Sequence, residues 1–280
     1  MFVFNTKKEL QKHLNSINNK TVGYVPTMGA LHIGHLSLIE KSFKECDVTV
    51  VSIFVNPTQF NNQEDLEKYP RTVEKDVELI KTVSDKIIVF NPTAQEIYND
   101  KIQSKEFSFD GIENQMEGKF RPGHFDGVGT ILELLFDAVK PDIAFFGEKD
   151  FQQLQIIKKL IPQIENQVKI IGCPIYREEN GLAFSSRNER LPKITREKAQ
   201  IIYESLNEVK SLFGTKSVNY INEYVVNKFK NNDLFELEYF EIADVKKLET
   251  AIKINNNTKY RAFIAVYAND IRLIDNIALN

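Results

Sequence analysis

Short apolar runs alternate with amphipathic segments through the first 171 residues of the chain. Five of these runs predict short strands: Thr21–Val25, Val48–Val55, Lys86–Phe90, Ile143–Phe146 and Val168–Ile171. The second run is nearly unbroken in β-branched and apolar residues. Such a run is expected of a strand that is buried on both faces of a parallel sheet.

Apolar residues at helical spacing predict helices between these strands. The predicted helices are Lys7–Ile17, Gly34 to about Glu45, one that begins near Thr72, Val128–Val139, and about Asp150 to Leu160. Strands that alternate with helices indicate βαβ units, so we expect an α/β protein with a five-stranded parallel sheet. Right-handed crossovers place the carboxyl ends of such strands at one edge.

The pattern changes after Pro174. Two helices and three strands are predicted beyond it, over Thr195–Phe213, Val218–Phe229, Phe235–Ile242, Arg261–Tyr267 and Ile271–Ile274. We therefore expect two domains: residues 1–175 with the parallel sheet, and a smaller α+β domain over residues 176–280.

Segments with unusual polar content follow three of the predicted strands. They are Thr27–His35, Asn56–Phe60 and Gly147–Gln153. Because open α/β sheets bind ligands at the carboxyl ends of their strands, we expect the three segments to form one site. A fourth segment, Thr93–Phe125, is long and irregular, and loops of that length are often functional.

The segment at residues 26–35 (PTMGALHIGH) joins a strand to a helix. Backbone N–H groups at a helix N-terminus attract anions, and the glycines allow a ligand close to the backbone. His32 and His35 lie three residues apart, on the same side of the first turn. This pattern indicates a site for the phosphates of a nucleotide. A satisfied polar histidine and an ordinary turn glycine are the alternative.

Composition and net charge argue against several classes of protein and binding partner. Hydrophobic content of 42%, charged content of 27% and a net charge of −3 are typical of a soluble globular protein and argue against a nucleic-acid binder. No apolar run approaches the roughly 20 residues of a membrane helix, and the charged N-terminus does not resemble a signal peptide. Cys46 and Cys173 lack metal-ligand spacing, so we expect reduced cysteines in a cytoplasmic protein.

Several blocks carry a specific resemblance. Met28–His35 resembles the H-x-G-H motif shared by class I aminoacyl-tRNA synthetases and nucleotidylyltransferases. The other blocks are Phe54–Phe60, Tyr69–Arg71, Gly118–Val128, Phe146–Gln153, Ser185–Asn188 and Arg272–Asn276. Together they are similar to the pantoate–β-alanine ligase (pantothenate synthetase) family, in the family's order and over essentially the whole chain.

The resemblance implies a fold and a reaction. The fold would be a Rossmann-type domain with a small C-terminal lid, usually in a homodimer. The reaction would join pantoate to β-alanine, with ATP as co-substrate and Mg²⁺ as cofactor. Pantoate would first form pantoyl adenylate with release of pyrophosphate, and β-alanine would then displace AMP.

The resemblance also implies roles for individual residues. His35, His32, Lys149 and Arg187 would be catalytic, with His35 as a proton donor to the departing pyrophosphate. Gln59 and Gln153 would bind pantoate or β-alanine, and Asn56, Arg121 and His124 are weaker substrate-site candidates. The ATP-binding residues would be Met28, Gly29, Ala30, Leu31, His32, Ile33, Gly34, His35, Gly147, Glu148, Lys149, Asp150, Tyr176, Phe184, Ser185, Ser186 and Arg187.

Two positions depart from the family pattern, and the metal ligands are open. Tyr176 stands where the family usually has a small aliphatic residue, and Phe184 where it has Met or Leu. Their rings would stack on adenine or narrow its pocket. Asp76 is a conceivable ligand of Mg²⁺, although this ion usually takes most of its ligands from phosphates and water.

Purely structural roles are the alternative for several of these residues. Asp150 would be only a helix cap and Lys149 a surface lysine, Ser185 and Ser186 would belong to a helix N-cap, and Arg121 and His124 would order a glycine-rich loop.

Alternative functions use the same residues. A nucleotidylyltransferase would adenylylate a phosphorylated cofactor precursor, but no basic pocket for a second phosphate is evident. A non-catalytic nucleotide-binding protein is a further alternative, since fold does not determine function. A fragment of a tRNA synthetase is disfavoured by the acidic balance.

Overall fold

A six-stranded parallel sheet forms the centre of the computed structural model, which describes residues 1–60, 63–99 and 101–280. The strand order is β1-β4-β3-β2-β5-β6. The strands are β1 Phe2–Phe4, β2 Val22–Thr27, β3 Val48–Ile53, β4 Ile88–Phe90, β5 Ile143–Gly147 and β6 Lys169–Cys173. The predicted α/β class with a parallel sheet is confirmed.

Helices follow the strands of this sheet and cover it. They are α1 Lys7–Ser16, α2 Ile33–Glu45, α3 Gln63–Lys68, α4 Val73–Lys81, α5 Ala94–Tyr98, α6 Met116–Phe120, α7 His124–Val139 and α8 Phe151–Gln163. Short 3₁₀ turns lie at Pro57–Gln59, Ile112–Asn114 and Glu148–Asp150. The segment from residue 93 to 125 thus contains α5 and α6, although the sequence predicts only an irregular loop.

A second, antiparallel sheet follows in the chain. It has the order β7-β8-β9, with β7 Glu236–Asp244, β8 Tyr260–Ala268 and β9 Ile271–Ala278. Its helices are α9 Lys193–Lys198, α10 Gln200–Leu212 and α11 Val218–Lys230, and a 3₁₀ turn lies at Ser186–Arg190. A separate apolar core packs beneath it, although Ala243, Leu248 and Phe263 join the core of the parallel sheet. The domain boundary near Pro174 stays a prediction.

Three sequence-based expectations are corrected. The parallel sheet has six strands, not five, because Phe2–Phe4 pairs in parallel with β4; three residues are too few to show a periodicity. The long helix predicted over Thr195–Phe213 is two helices, since the N–H of Ala199 bonds to the carbonyl of Arg196 in a tighter turn. The last strand continues to Ala278, four residues further than predicted.

The sheet order creates a crevice. Strand β2 lies between β3 and β5, so the chain order reverses between β2 and β5. Ligands of open α/β sheets bind at such a switch point, outside the carboxyl ends of the strands. Residues 28–35, 54–60 and 147–153 follow these three strands directly, as the sequence predicts. Among the described residues, no helix is long and apolar enough to cross a membrane.

Candidate active site

A cavity of about 270 Å³ opens at this switch point. Its floor is apolar and includes Val128, Leu132 and Leu135 on α7. Most of the predicted site residues line its wall: Met28, His32, Gly34, His35, Asn56, Gln59, Gly147, Lys149, Asp150, Gln153, Tyr176, Phe184, Ser185, Ser186 and Arg187. Segments that are far apart in the chain therefore meet at one edge of the sheet.

The two histidines cap helix α2. His32 is the N-cap residue, and its Nδ1 accepts the N–H of Gly34 at 3.1 Å. Nδ1 of His35 accepts the N–H of His32 at 3.3 Å, and the ring centroids lie 4.1 Å apart. Because both Nδ1 atoms accept, a neutral ring must carry its proton on Nε2. Each ring thus keeps one N–H donor that the cap does not use.

Both imidazoles are held neutral. Burial, reinforced by the positive charge of Lys149, lowers the pKa of His32 to about 4. Burial and the neighbouring His32 lower the pKa of His35 to about 3. The protonated ring that His35 would need as a proton donor is therefore disfavoured near pH 7 in the protein without ligands. Neutral Nε2–H donors can still bind phosphate oxygens.

Two cationic side chains face the cavity. Lys149 lies in the turn after β5, and Arg187 lies in the 3₁₀ turn after Ser185. Neither side chain has a hydrogen bond or ion pair within the part of the chain that the structure describes. Asp150 occupies the N-cap position of α8 but makes no capping bond with its side chain. Half-buried cations that face a cavity suit an anionic ligand.

A chain of polar contacts holds Gln59. Its Oε1 accepts from Nδ2 of Asn56 at 3.1 Å, and Asn56 is itself 1% exposed and bonded to the Tyr98 hydroxyl. The Gln59 carbonyl lies 2.9 Å from Nδ1 of His124 and accepts from Arg121 at 3.3 Å. The weaker candidates Asn56, Arg121 and His124 therefore fix the segment that carries Gln59. Burial, with Arg121 beside it, lowers the pKa of His124 to about 4.

Neighbouring glutamines on α8 differ in what they contact. Gln153 faces both the main cavity and an adjoining one of about 120 Å³, which Gln59, Arg121 and His124 also line. Gln152 is buried, and its amide bonds to the carbonyls of Ile112 and Gln115 at 2.8 Å. Gln152 also lines the adjoining cavity, but it is 4% exposed and does not line the main cavity, so Gln153 is the better placed of the two to contact a substrate.

Tyr176 and Phe184 form an aromatic flank. Their ring centroids are 5.6 Å apart, and Phe184 lies 6.0 Å from the ring of His32. The N–H of Phe184 donates to the carbonyl of Tyr176 at 3.0 Å, which holds the two segments together. Tyr176 remains 43% exposed and lines the cavity, so part of its side chain is accessible to a ligand.

Five residues predicted for ATP binding do not line the cavity: Gly29, Ala30, Leu31, Ile33 and Glu148. The first three form the connection that orients the histidines, and Ile33 is 44% exposed. Glu148 turns away to pair with Arg261 at 2.9 Å. Asp76 also lies outside the cavity, and both of its oxygens accept backbone N–H groups.

The antiparallel sheet also positions residues of the site, which the sequence did not predict. The Asn276 amide donates to the carbonyls of Glu148 and Lys149, at 3.0 and 2.8 Å. Arg261 packs its guanidinium over the ring of Phe151, 4.0 Å from the centroid. The block Arg272–Asn276 contributes to the family resemblance, but no local pattern indicates that it holds the turn bearing Lys149.

The geometry first defines a class of protein. This is an α/β protein whose parallel sheet has, at its switch point, two histidines that cap a helix and two cationic side chains, a site suited to phosphates. The family model described as pantoate-beta-alanine ligase matches residues 2–278, and the chain belongs to that family. The resemblance drawn from the sequence blocks is confirmed.

Relatives and solved structures agree. Pantothenate synthetase from Flavobacterium psychrophilum is 57% identical over the full length of both chains, and that from Christiangramia forsetii is 55% identical over the same extent. A crystal structure of the Thermus thermophilus enzyme superposes with a TM-score of 0.91 at 35% identity, covering 100% of this chain and 99% of the other. A Francisella tularensis pantoate-beta-alanine ligase, complexed with beta-gamma ATP and beta-alanine, gives 0.82 at 36% identity, covering 100% and 98%.

Proposed function

We propose that this site activates pantoate as pantoyl adenylate and passes the acyl group to β-alanine. Membership of the family makes the chain an ATP-dependent ligase that condenses pantoate with β-alanine. The observation that carries the residue assignment is the pair of neutral Nε2–H donors beside Lys149 and Arg187. These four groups would surround the triphosphate.

The first step transfers AMP to the acid. A carboxylate oxygen of pantoate attacks the α-phosphorus, and the bond from that phosphorus to the bridging oxygen of pyrophosphate breaks. Negative charge builds on the departing oxygen. His32 and His35 would donate hydrogen bonds to the phosphate oxygens, and Lys149 and Arg187 would balance the charge of the pyrophosphate. Removal of one such donor typically costs about 3 kcal/mol of transition-state stabilisation.

The second step forms the amide. The amine of β-alanine, after losing a proton from its ammonium form, attacks the carbonyl carbon of the adenylate, and the bond to the AMP oxygen breaks. Gln59 and Gln153 would bind pantoate, since an amide both donates and accepts and so suits hydroxyl and carboxylate groups. The adjoining cavity beside Gln59 and Arg121 provides a direction of approach for the amine.

The residues present also fit a magnesium ion held mainly by phosphates. Asp150 is the carboxylate at the wall, and no group of three or more acidic, cysteine or histidine ligands occurs among the described residues. Mg²⁺ usually keeps phosphate and water ligands, so one carboxylate is compatible with it. Bound to ATP, the ion would offset phosphate charge.

Isotope exchange tests the first step. Labelled pyrophosphate should enter ATP when pantoate is present and β-alanine is absent, while AMP should accumulate only with both substrates. Exchange that required a phosphorylated acceptor instead would favour the nucleotidylyltransferase alternative. If labelled pyrophosphate entered ATP in the absence of both pantoate and β-alanine, the exchange would not depend on an acyl adenylate.

The role of His35 has its own test. His35→Ala should lower pantoate-dependent exchange about 100-fold, because one donor to the phosphates is lost. His13→Ala is the matched control, since His13 lies on α1 against the ring of Phe2, away from the cavity. Near-normal exchange in His35→Ala would remove this residue from the mechanism.

Assembly and location are proposed from the family resemblance. We propose a homodimer, which light scattering would detect as twice the 32.3 kDa mass of the chain. We also propose a cytoplasmic enzyme, in keeping with two unpaired cysteines. Fractionation of cells that express the chain would check this location.

A further inference from the structure

The carboxylate of Asp76 lies behind the histidine segment. Asp76 is in the first turn of α4 and is 2% exposed. Its Oδ2 accepts the N–H of Ala30 at 3.0 Å, and its Oδ1 accepts the N–H of Leu31 at 2.8 Å. The hydroxyl of Thr72 lies 3.3 Å from both oxygens. Each oxygen of the carboxylate thus has a hydrogen-bond partner in the protein, and Asp76 does not line the cavity.

The segment it contacts has an unfavourable backbone. Gly29 and Ala30 have φ angles of +83° and +49°, both in the left-handed region. Glycine adopts this region freely, whereas alanine does so only when surrounding contacts hold it there. The connection is therefore a bend that needs an external anchor, and it leads within two residues to the N-cap His32.

We infer that Asp76 is the positioning residue for the paired histidines. By fixing two successive N–H groups, it holds the bend that starts helix α2. It thereby sets where the Nε2–H donors of His32 and His35 point. This inference rests on the proposed role of these donors in adenylation, and it assigns Asp76 to the protein backbone, not to a metal ion.

Asp76→Asn tests the inference with little change in shape. The amide keeps one acceptor oxygen but turns an NH₂ group toward a backbone N–H, so the bend loses one anchor. We expect pantoate-dependent pyrophosphate exchange to fall roughly 10- to 100-fold, because small displacements of catalytic groups have effects of this size. The KM for pantoate should stay constant, since Gln59 and Gln153 are not contacted by Asp76. Glu74→Gln, in the same helical turn but exposed, should leave exchange unchanged.

A spectroscopic readout separates positioning from general stability. Nitrogen-15 NMR of the imidazoles should show the Nε2–H tautomer for both histidines in the parent protein. In Asp76→Asn, a mixture of tautomers should appear because the Nδ1 contacts are no longer held. Thr72→Val removes the hydroxyl beside the carboxylate but keeps the carboxylate itself. It should give a smaller shift in tautomers and a smaller fall in exchange, and it replaces Asp76→Asn in this test if that variant does not fold.

Defined outcomes would overturn the inference. The inference is wrong if Asp76→Asn has the same tautomers and the same exchange rate as the parent protein. It is also wrong if Asp76→Asn has a lower melting temperature but an unchanged kcat. A raised Mg²⁺ requirement at otherwise normal tautomers would indicate a metal ligand instead. If the parent protein shows no pantoate-dependent exchange, the proposed function fails, while the tautomer measurement still decides whether Asp76 orients the histidines.

Discussion

At the scale of single residues, the protonation of His32 and His35 decides how the site can act on phosphates. Each ring uses Nδ1 to accept a backbone N–H, and burial holds its pKa far below the ordinary value of 6.5. In the proposed function, the rings would therefore contact a triphosphate as neutral donors, and Lys149 and Arg187 would balance its charge. Bound phosphates would raise the histidine pKa values, since nearby negative charge favours the protonated form.

The aromatic flank gives a prediction at this scale. Phe184→Leu introduces a residue that the family resemblance predicts at this position. We expect the KM for ATP to rise about 2- to 10-fold with kcat unchanged, because a stacked ring contributes roughly 0.5–1.5 kcal/mol. Steady-state kinetics with varied ATP would measure this. Tyr220→Leu, which removes an exposed ring on α11, is the control. A fall in kcat at constant KM would contradict stacking on the base.

At the scale of elements, strand β9 holds the turn that bears Lys149. The Asn276 side chain on β9 donates to two carbonyls of that turn. Arg261, on the neighbouring strand β8, pairs with Glu148 in the same turn. Asp275 precedes Asn276 in β9, and its buried carboxylate forms a two-bond pair with Arg177. The position of the lysine therefore depends on an element more than 120 residues away in the chain.

Asn276→Ala should free this turn. We expect weaker binding of ATP, with a KM raised roughly 10-fold, because Lys149 is no longer held toward the phosphates. Binding of ATP by calorimetry would measure the loss directly. Asn280→Ala also removes a bond from a side chain to a carbonyl, that of Thr258, but away from the cavity. Equal effects of the two substitutions would mean that Asn276 acts only on stability.

At the scale of the whole molecule, Arg272 links the antiparallel sheet to helix α6, which lies in the part of the chain that forms the parallel sheet. Arg272 on β9 forms two hydrogen bonds with Glu117 on α6, at 2.8 and 2.7 Å, and also pairs with Glu238 on β7. Burial opposes ionisation of Glu117, yet the hydrogen bonds and charge of Arg272 hold its pKa below the ordinary value. Removal of the arginine would leave two largely buried carboxylates, 14% and 13% exposed, without the cation that they share.

Arg272→Met should therefore destabilise the fold. Breaking a buried ion pair typically costs about 3–5 kcal/mol, because an unpaired charge stays buried. Thermal unfolding would show a lower melting temperature. Neutralising both acids in the triple variant Glu117→Gln, Arg272→Met and Glu238→Gln should recover most of the loss. No recovery would mean that the packing of the Arg272 side chain, not its charge, stabilises the contact.

Stability should also depend on pH through His124. This residue is 6% exposed with a pKa of about 4, against 6.5 in an unfolded chain. Between these values the unfolded chain binds more protons. The free energy of unfolding is therefore highest above pH 6.5 and falls as the pH decreases toward 4. Urea denaturation from pH 7 to 5 should show a slope of up to about 1.4 kcal/mol per pH unit from this group. His124→Gln should reduce that slope, and an unchanged slope would contradict the assignment.

Periodicity in the sequence was enough to predict the α/β class, most strands and the edge at which the site lies. Buried parallel strands show as apolar runs, and helices show as stripes, because each element must bury one face. The blocks around His32, Lys149 and Ser185 also identified the family. The edge strand Phe2–Phe4 was missed because its pairing with β4 is a contact between distant segments that leaves no local pattern.

The amino-acid sequence alone was therefore enough to predict the α/β class, most of the strands and the family, and to name candidate site residues. Tertiary structure alone decided that Asp76 faces the backbone of the histidine segment, that Glu148 turns to Arg261, and that Asn276 holds the Lys149 turn. The physical reason is that hydrogen bonds and burial depend on distances in space. A carboxylate or an amide has the same appearance in a sequence whether it contacts a ligand, a cation or a backbone N–H group.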